Sequence, residues 1–440
     1  MSDVRTEKYV SVLSEMIKCD TVSEYGIIEE EKFLKFHELL KKLFPNFFSV
    51  CEIETFTGSL LIKWKGSDSG KKPVLFMNHH DVVEAVGNWK HKPFDAEVSE
   101  GKLWGRGTLD TKGGLFGMLQ AADELIAEGF VPERDIYFES SCTEETTGSG
   151  ADTISKELEK RNIYFDFILD EGGMIVEEPI AGVKGYYAMV GMGEKGCADI
   201  KFIARSNGGH ASTPGKNTPL VRLGKFMAAV EKSNIFVSEM SPTIKEMLTR
   251  LAPSMSGALK VVCSHAGLFK PLIKAVVPSV SPVAGALFKT TLAFTTSKGS
   301  EGLNVLPQEA YVTGNMRFSH HQGGKNSIDA VRKIAKKYDV EVEVIDGGFE
   351  SSIADFNSDA FKLVESAVSA IYPDVKTVPY IMTAASDCRF FSRNSDNCLR
   401  FLPFKITDEQ MASIHGYDEN VDIDTLAPAV DFYRFIMKKL

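Results

Sequence analysis

The chain has 440 residues, 43% hydrophobic and 25% charged, with a formal net charge of -10 at pH 7. That length and balance suit a globular protein with two domains and a large buried core. The acidic surplus argues against a nucleic-acid partner, because nothing is left over to neutralise phosphates.

Charges interrupt the opening MSDVRTEKYVSVLSEMIKCD throughout, so it reads as neither a secretory leader nor a membrane span, and no membrane partner is expected. Val10, Leu13, Met16 and Ile17 recur instead as the inner face of a helix. Val74 to Met77 is a short apolar run suited to a strand buried on both faces. Leu115, Met118, Leu119, Ala122, Leu125 and Ile126 recur at helical spacing, and Gly129 can end that helix. Ile136–Phe138 and Phe165–Leu169 read as further strands, with a polar, helix-compatible stretch at 151–161 between them. Such alternation points to an open, mostly parallel sheet with helices on both faces.

The pattern changes near residue 190. Residues 199–204, 310–318 and 340–345 alternate polar and apolar, like strands with one wet face, and helices are expected near 218–231 and 326–337. Within this part lies a Pro-, Met- and Leu-rich insert, roughly 238–292. The insert is expected to be helical, packing against its own domain or lining an acyl pocket. The buried pattern returns after Gly347-Gly348. Phe361, Val364, Val368 and Ile371 share a helix face, Val378 to Met382 reads as a strand, and a last helix spans about 423–439. The expected fold class is therefore α/β: a mostly parallel catalytic domain at 1–192 and 351–440, carrying an inserted α+β, ferredoxin-like lid domain at 193–350. The seven cysteines are odd in number and form no CxxC pair, as expected of reduced thiols in a cytoplasmic protein.

Several strand ends finish in residues able to bind a cation. His79 and Asp81 follow Val74–Met77, Asp110 precedes the amphipathic helix, Glu144-Glu145 follows the strand ending near Cys142, and Asp170 ends the strand Phe165–Leu169. Alone, each is an ordinary turn or helix-start residue. Together they would converge on the crevice at the carboxyl ends of parallel strands. Crowded carboxylates need a cation to offset their repulsion. Imidazole and carboxylate without cysteine suit zinc, with cobalt or manganese as substitutes. One further carboxylate, free of metal, must move the proton of an attacking water, and either member of Glu144-Glu145 can serve. The stretch GRGTLDTKGG fits neither phosphate-binding loop, so a nucleotide enzyme is set aside.

These segments occur in order: NHHDVVEA at 78–85, LWGRGTLDTKG at 103–113, TEETTGSGA at 143–151, ILDEGG at 168–173, GGHASTP at 208–214, NVLP at 304–307, SDCRFF at 386–391 and IHGYDE at 414–419. The ordered set resembles the dinuclear zinc peptidase family of carboxypeptidase S, aminoacylase, glutamate carboxypeptidase and succinyl-diaminopimelate desuccinylase. It is most similar to the carboxypeptidase S and N-fatty-acyl-amino-acid hydrolase branch, from about Thr21 to the end.

The resemblance implies two zinc ions. His79 and Asp170 would hold one, Glu145 and His415 the other, and Asp110 would bridge them. Glu144 would be the general base and then the general acid, and Asp81 would orient His79. His210 would stabilise the oxyanion, reaching in from a partner subunit, so homodimerisation through the inserted domain is expected. Arg317 would grip a substrate carboxylate, with Asn304 and Arg389 also placed to touch substrate. The substrate expected is a small peptide or an N-acyl amino acid; exopeptidase and acyl-amino-acid hydrolase readings both stay open. The rival reading is a binding protein that kept the fold and lost the chemistry.

Overall fold

The computed structural model describes residues 4–180, 182–280, 282–349 and 351–440. Val74–Met77 lies at the centre, flanked in parallel by Ile136–Ser140 and Ile168–Asp170. All four of its residues are buried. Val74 and Phe76 enter one core, with the helices Val4–Lys18, Lys112–Ala127 and Leu426–Met437. Leu75 and Met77 enter the other, with Ile154 and Leu158 of Ser149–Lys160. Alternate side chains of a strand point to opposite faces, so helices on both sides require an unbroken apolar run.

The sheet has ten strands and is parallel only in part. Glu52–Phe56, Ser59–Trp64 and Ile136–Ser140 pair antiparallel at one end. Cys398–Arg400 continues the parallel centre beside Ile168–Asp170, then meets Tyr186–Glu194 antiparallel. Lys376–Met382 runs parallel to Tyr186–Glu194. The strand expected at 165–169 is shorter and shifted, at Ile168–Asp170, so Asp170 ends it from within.

Lys195 alone separates Tyr186–Glu194 from Gly196–Arg205, a strand of a second sheet. That sheet is fully antiparallel, in the order Thr291–Lys298, Glu309–Phe318, Gly196–Arg205, Glu341–Phe349. Glu309–Phe318 buries every second residue. The buried face packs under Pro219–Lys232 and Gly323–Ala335 through Phe202, Phe226, Val312, Met316 and Val331. Strand order and helix placement make the ferredoxin-like arrangement expected.

The insert is helical, from Pro242–Leu251 through Gly257–Ser264 and Lys270–Val280 to Pro282–Phe288. It packs elsewhere than expected. Ile244, Met247, Leu248 and Leu251 share a core with Val183, Tyr187 and Val378, so it covers the large sheet rather than its own smaller one. Residues 183–190 and 376–382 form a bare apolar flank there, and the insert is the element long enough to bury it.

Candidate metal centre and active site

His79 stands two residues beyond Val74–Met77, at the carboxyl end of the parallel centre. Its Nδ1 lies 2.9 Å from the backbone oxygen of Asp81 and so donates there. That leaves Nε2 facing Asp110 Oδ1 at 3.1 Å. The other oxygen of Asp110, Oδ2, lies 3.0 Å from His415 Nε2, which is also 3.1 Å from Glu145 Oε2. One carboxylate therefore stands between imidazoles from opposite ends of the chain. Donor atoms of His79, Asp110 and Glu145 all lie within 4.8 Å of one another.

A single observation tests whether a cation fits. Glu145 Oε1 is buried and has no hydrogen-bond partner among the described residues. Buried carboxylate oxygens are expensive to leave bare, and this one belongs to the three-residue cluster. Burial alone would raise the carboxyl of Asp110, but hydrogen bonds from His415 and His79 outweigh it and hold it well below the usual range. His79 is buried, which disfavours its charged form, yet Asp110 and Asp81 hold its pKa well above the ordinary value. His415 is raised to about 10, chiefly by its hydrogen bonds to Asp110 and Glu145. The donor set of two imidazoles and carboxylates suits zinc.

Backbone geometry aims these groups. His415 has φ +60°, in the left-handed region. For a non-glycine residue this costs about 1–3 kcal/mol and persists only where the surroundings enforce it. Glu419, four residues on and fully buried, holds the loop that carries Asp110. Its Oε1 accepts from the amides of Leu109 (2.8 Å) and Asp110 (3.1 Å). Its Oε2 accepts from Gly107 N (3.1 Å) and Arg106 Nη1 (2.6 Å). Asp81 does similar work for the acidic pair: its oxygens accept from Glu144 N, Glu145 N and Ser23 Oγ.

Glu144 lies beside the cluster, with its side chain 12% exposed and Arg389 Nη1 3.8 Å away. Burial raises its carboxyl well above the ordinary value; His79 opposes this, and Asp387 and Glu145 add to it. A carboxyl so raised can hold a proton near neutrality and give it up again. Asp170 is buried, with Oδ1 accepting from Glu171 N and Oδ2 from Cys388 N at 2.8 and 2.9 Å. It is not part of the three-residue cluster.

A cleft of about 660 Å³ opens in front of this centre. Glu144, Glu145, His415 and Arg389 line it, together with Lys195 and with Cys197, Asn315 and Arg317 of the smaller sheet. Arg317 lines the cleft and donates through Nε to Asn315 Oδ1 at 3.0 Å. His210 and Asn304 lie elsewhere. His210 is exposed on the short Gly209–His210 and Val305–Leu306 pairing, its Nδ1 2.7 Å from Ser212 Oγ. The amide of Ala211 bonds the carbonyl of Asn304 beside it. Within one chain neither residue lines the cleft; the two short strands form a small two-stranded sheet of their own. Among the described residues, none of the 238–292 insert lines the cleft.

The chain matches the model for peptidase family M20/M25/M40 over residues 75–439. It belongs to that family. It is 34% identical to "Probable carboxypeptidase S-like 2" of Dictyostelium discoideum, over 93% of this chain and 80% of the relative. It is 29% identical to the human "N-fatty-acyl-amino acid synthase/hydrolase PM20D1", over 90% of this chain and 80% of that one. Among solved structures, an M20 family metallo-carboxypeptidase from Sulfolobus solfataricus shares the fold with a TM-score of 0.72, at 18% identity and 98% coverage of both chains. Human carnosine dipeptidase 1 does so with a TM-score of 0.65, at 15% identity, covering 100% of this chain and 98% of that one. This M20 chain is thus a hydrolytic enzyme of the metallopeptidase kind.

Three groups around the M20 centre escaped the sequence reading. Glu171 follows Asp170 directly; burial, then Asp170, Asp110 and Glu144, push its carboxyl well above the usual range, which places it in the same crevice. Its signal was adjacency in ILDEGG. Glu419 lies within IHGYDE but was not singled out, since a carboxylate bonding backbone amides has no periodicity. Glu194 accepts from Ser386 N, Ser386 Oγ and Arg400 Nε, tying the junction of the two sheets to SDCRFF.

Proposed function

We propose that this enzyme hydrolyses the amide bond of small substrates bearing a free carboxylate, either N-acyl amino acids or short peptides, with a pair of zinc ions that cobalt or manganese can replace. The observation that carries this is the convergence of His79, Asp110, His415 and Glu145, with one oxygen of Glu145 buried and unpaired. In this reading His79 and Asp170 would hold one ion, Glu145 and His415 the other, and Asp110 would contribute to both. Bound there, the metal supplies Lewis acidity to the scissile carbonyl and acidifies a water.

The chain's own groups do the rest. Arg317, with Arg389 opposite, receives the substrate carboxylate and sets its distance from the centre. Glu144 takes the proton of the attacking water on its carboxylate and delivers it to the leaving nitrogen. Asp81 keeps the His79 ring in one tautomer and holds the amides of Glu144 and Glu145. His210 stabilises the oxyanion from a second subunit, a homodimer that supplies what one chain leaves out of its cleft. Closure of the smaller sheet over the larger excludes water. Seven free cysteines support a cytoplasmic location.

Glu144→Gln tests the base. It should keep metal and fold while turnover falls about 10²–10⁴-fold; near-normal turnover would remove the assignment. A hydrolysis screen of N-acyl amino acids against dipeptides, with a metal-depleted control, separates the two substrate readings. The relatives named above as carboxypeptidase-like and as an N-fatty-acyl-amino acid hydrolase support both.

A further inference from the structure

The segment 20–29 joins the helices Val4–Lys18 and Glu30–Leu43 and is tied to the loop that follows Val74–Met77. Thr21 Oγ1 donates to the carbonyl of His80 at 2.6 Å, Ser23 N to the carbonyl of Val82 at 3.2 Å, and Ser23 Oγ to Asp81 Oδ2 at 2.7 Å. Lys32 Nζ, from the second helix, bonds the carbonyl of Val22 at 2.9 Å. Beyond these anchors the chain makes a tight turn. Ile27 N bonds the carbonyl of Glu24 at 3.2 Å, and Gly26 has φ +73°, which suits glycine at the third position of such a turn. Tyr25, at the second position, lines the cleft.

Tyr25 is 77% exposed, and among the described residues its side chain has neither a hydrogen bond nor a ring contact. A lone exposed aromatic ordinarily needs no explanation. This one lines the cleft on a backbone tied to Asp81, whose carboxylate also holds the amides of Glu144 and Glu145. The ring is therefore set relative to the general base by a short chain of hydrogen bonds. With two side-chain torsions to fix, a tyrosine loses little entropy on making a contact.

The rest of the cleft offers little apolar surface. Among the described residues that line it, none is Leu, Ile, Val or Met. Phe390 is 8% exposed, with the Arg389 guanidinium 4.5 Å from its ring centre. Asn315 links two charged neighbours, accepting from Arg317 Nε at 3.0 Å and donating through Nδ2 to Asp199 Oδ1 at 2.8 Å. A methylene gains free energy where it leaves water for apolar surroundings, and polar groups stripped of water without a new partner cost free energy. A long acyl chain in this cleft would lose by the second effect what it gained by the first. A ring-sized group against Tyr25 covers apolar surface on both partners. We infer that Tyr25 is a specificity-determining residue that packs on the acyl side of the substrate and favours a single aromatic group there over both a methyl group and a long alkyl chain. The inference rests on the hydrolytic reading above, in which Arg317 of the smaller sheet holds the carboxylate end and leaves the acyl end to the loops of the large sheet, where Tyr25 is anchored.

The test compares acetylglycine, phenylacetylglycine and palmitoylglycine as substrates of the zinc-loaded full chain, with glycylglycine and phenylalanylglycine beside them. Phenylacetylglycine and phenylalanylglycine should exceed their small counterparts in kcat/KM by about ten-fold, as one aromatic contact supplies. Palmitoylglycine should not exceed acetylglycine. Tyr25→Ala should remove the aromatic advantage through KM rather than kcat, and Tyr25→Phe should keep it. Calorimetric titration of Glu144→Gln with phenylacetylglycine, with and without Tyr25→Ala, reads the same contact without turnover. Binding about ten-fold looser with Tyr25→Ala, in a protein whose wild type turns over none of these amides, would support the ring contact and remove the hydrolytic reading. Hydrolysis with no aromatic preference, a preference that Tyr25→Ala retains, or palmitoylglycine favoured over phenylacetylglycine would overturn the inference and leave the hydrolytic reading standing. Absence of both turnover and binding would overturn the two together.

Discussion

Glu419→Gln is the sharpest test of how Asp110 is held. The wild-type carboxylate accepts two donors on each oxygen, Leu109 N and Asp110 N on one, Gly107 N and Arg106 Nη1 on the other. A glutamine has one acceptor oxygen and one amide nitrogen. Whichever way it turns, its own N–H groups face two donors. Two buried donors then go unpaired at about 1–3 kcal/mol each, and Arg106 loses a buried counter-charge. Breaking one side of such a pair costs about 3–5 kcal/mol, so the two views agree on a loss near 4 kcal/mol. The loop carrying Asp110 should slacken with it. Urea unfolding should show the midpoint falling with little change in slope, and elemental analysis should show reduced metal content at a given free metal concentration. Activity should fall further than metal content, because misplaced Asp110 also misplaces what it orients. A variant within 1 kcal/mol of wild type, with full metal and full activity, would refute the reasoning.

His37 is buried, and burial lowers its pKa from 6.5 to about 4. Its neutral form is what the fold stabilises, so this contribution is complete above pH 6.5 and is lost as pH falls towards 4. The loss is about 3 kcal/mol. Unfolding free energies measured over that window should fall less steeply in His37→Gln; an identical slope would discount the group. Gly148 has φ +67°, and a Cβ there would stand 2.7 Å from both Arg389 Nη2 and Asp387 Oδ1. Gly148→Ala should therefore cost about 1–3 kcal/mol and raise KM by displacing Arg389; unchanged KM and thermal midpoint would contradict this. Arg317→Ala should raise KM about 10–100-fold for substrates with a free carboxylate, the worth of one charge-assisted hydrogen bond. The same change should leave the corresponding carboxamide substrates little affected, and equal losses on both would speak against carboxylate recognition.

Val74–Met77 shows what local pattern conveys. An unbroken apolar run of four suits a strand covered on both faces, and its alternate residues enter two separate cores. The alternation along 309–318 was equally legible, because a half-wet strand writes its own burial pattern. His79, Asp110 and Glu144-Glu145 were marked by their position at element ends. The pairing of Cys398–Arg400 against Tyr186–Glu194 left no such mark, and neither did the seating of the insert on the large sheet. Both depend on which apolar flank remains open once other elements have packed.

The amino-acid sequence by itself determined the element types, the ferredoxin-like second sheet and, through its ordered motifs, the family and a candidate ligand set. Only the tertiary structure decided that His415, in a left-handed turn, meets Asp110 and Glu145, and that Glu419 grips the Asp110 loop. It also decided that Glu171 shares the crevice, and that His210 and Asn304 lie outside it. Periodicity records how one segment divides between water and core, a short-range property of the chain. Contact between distant polar groups is set by how finished surfaces fit, which no short-range repeat encodes.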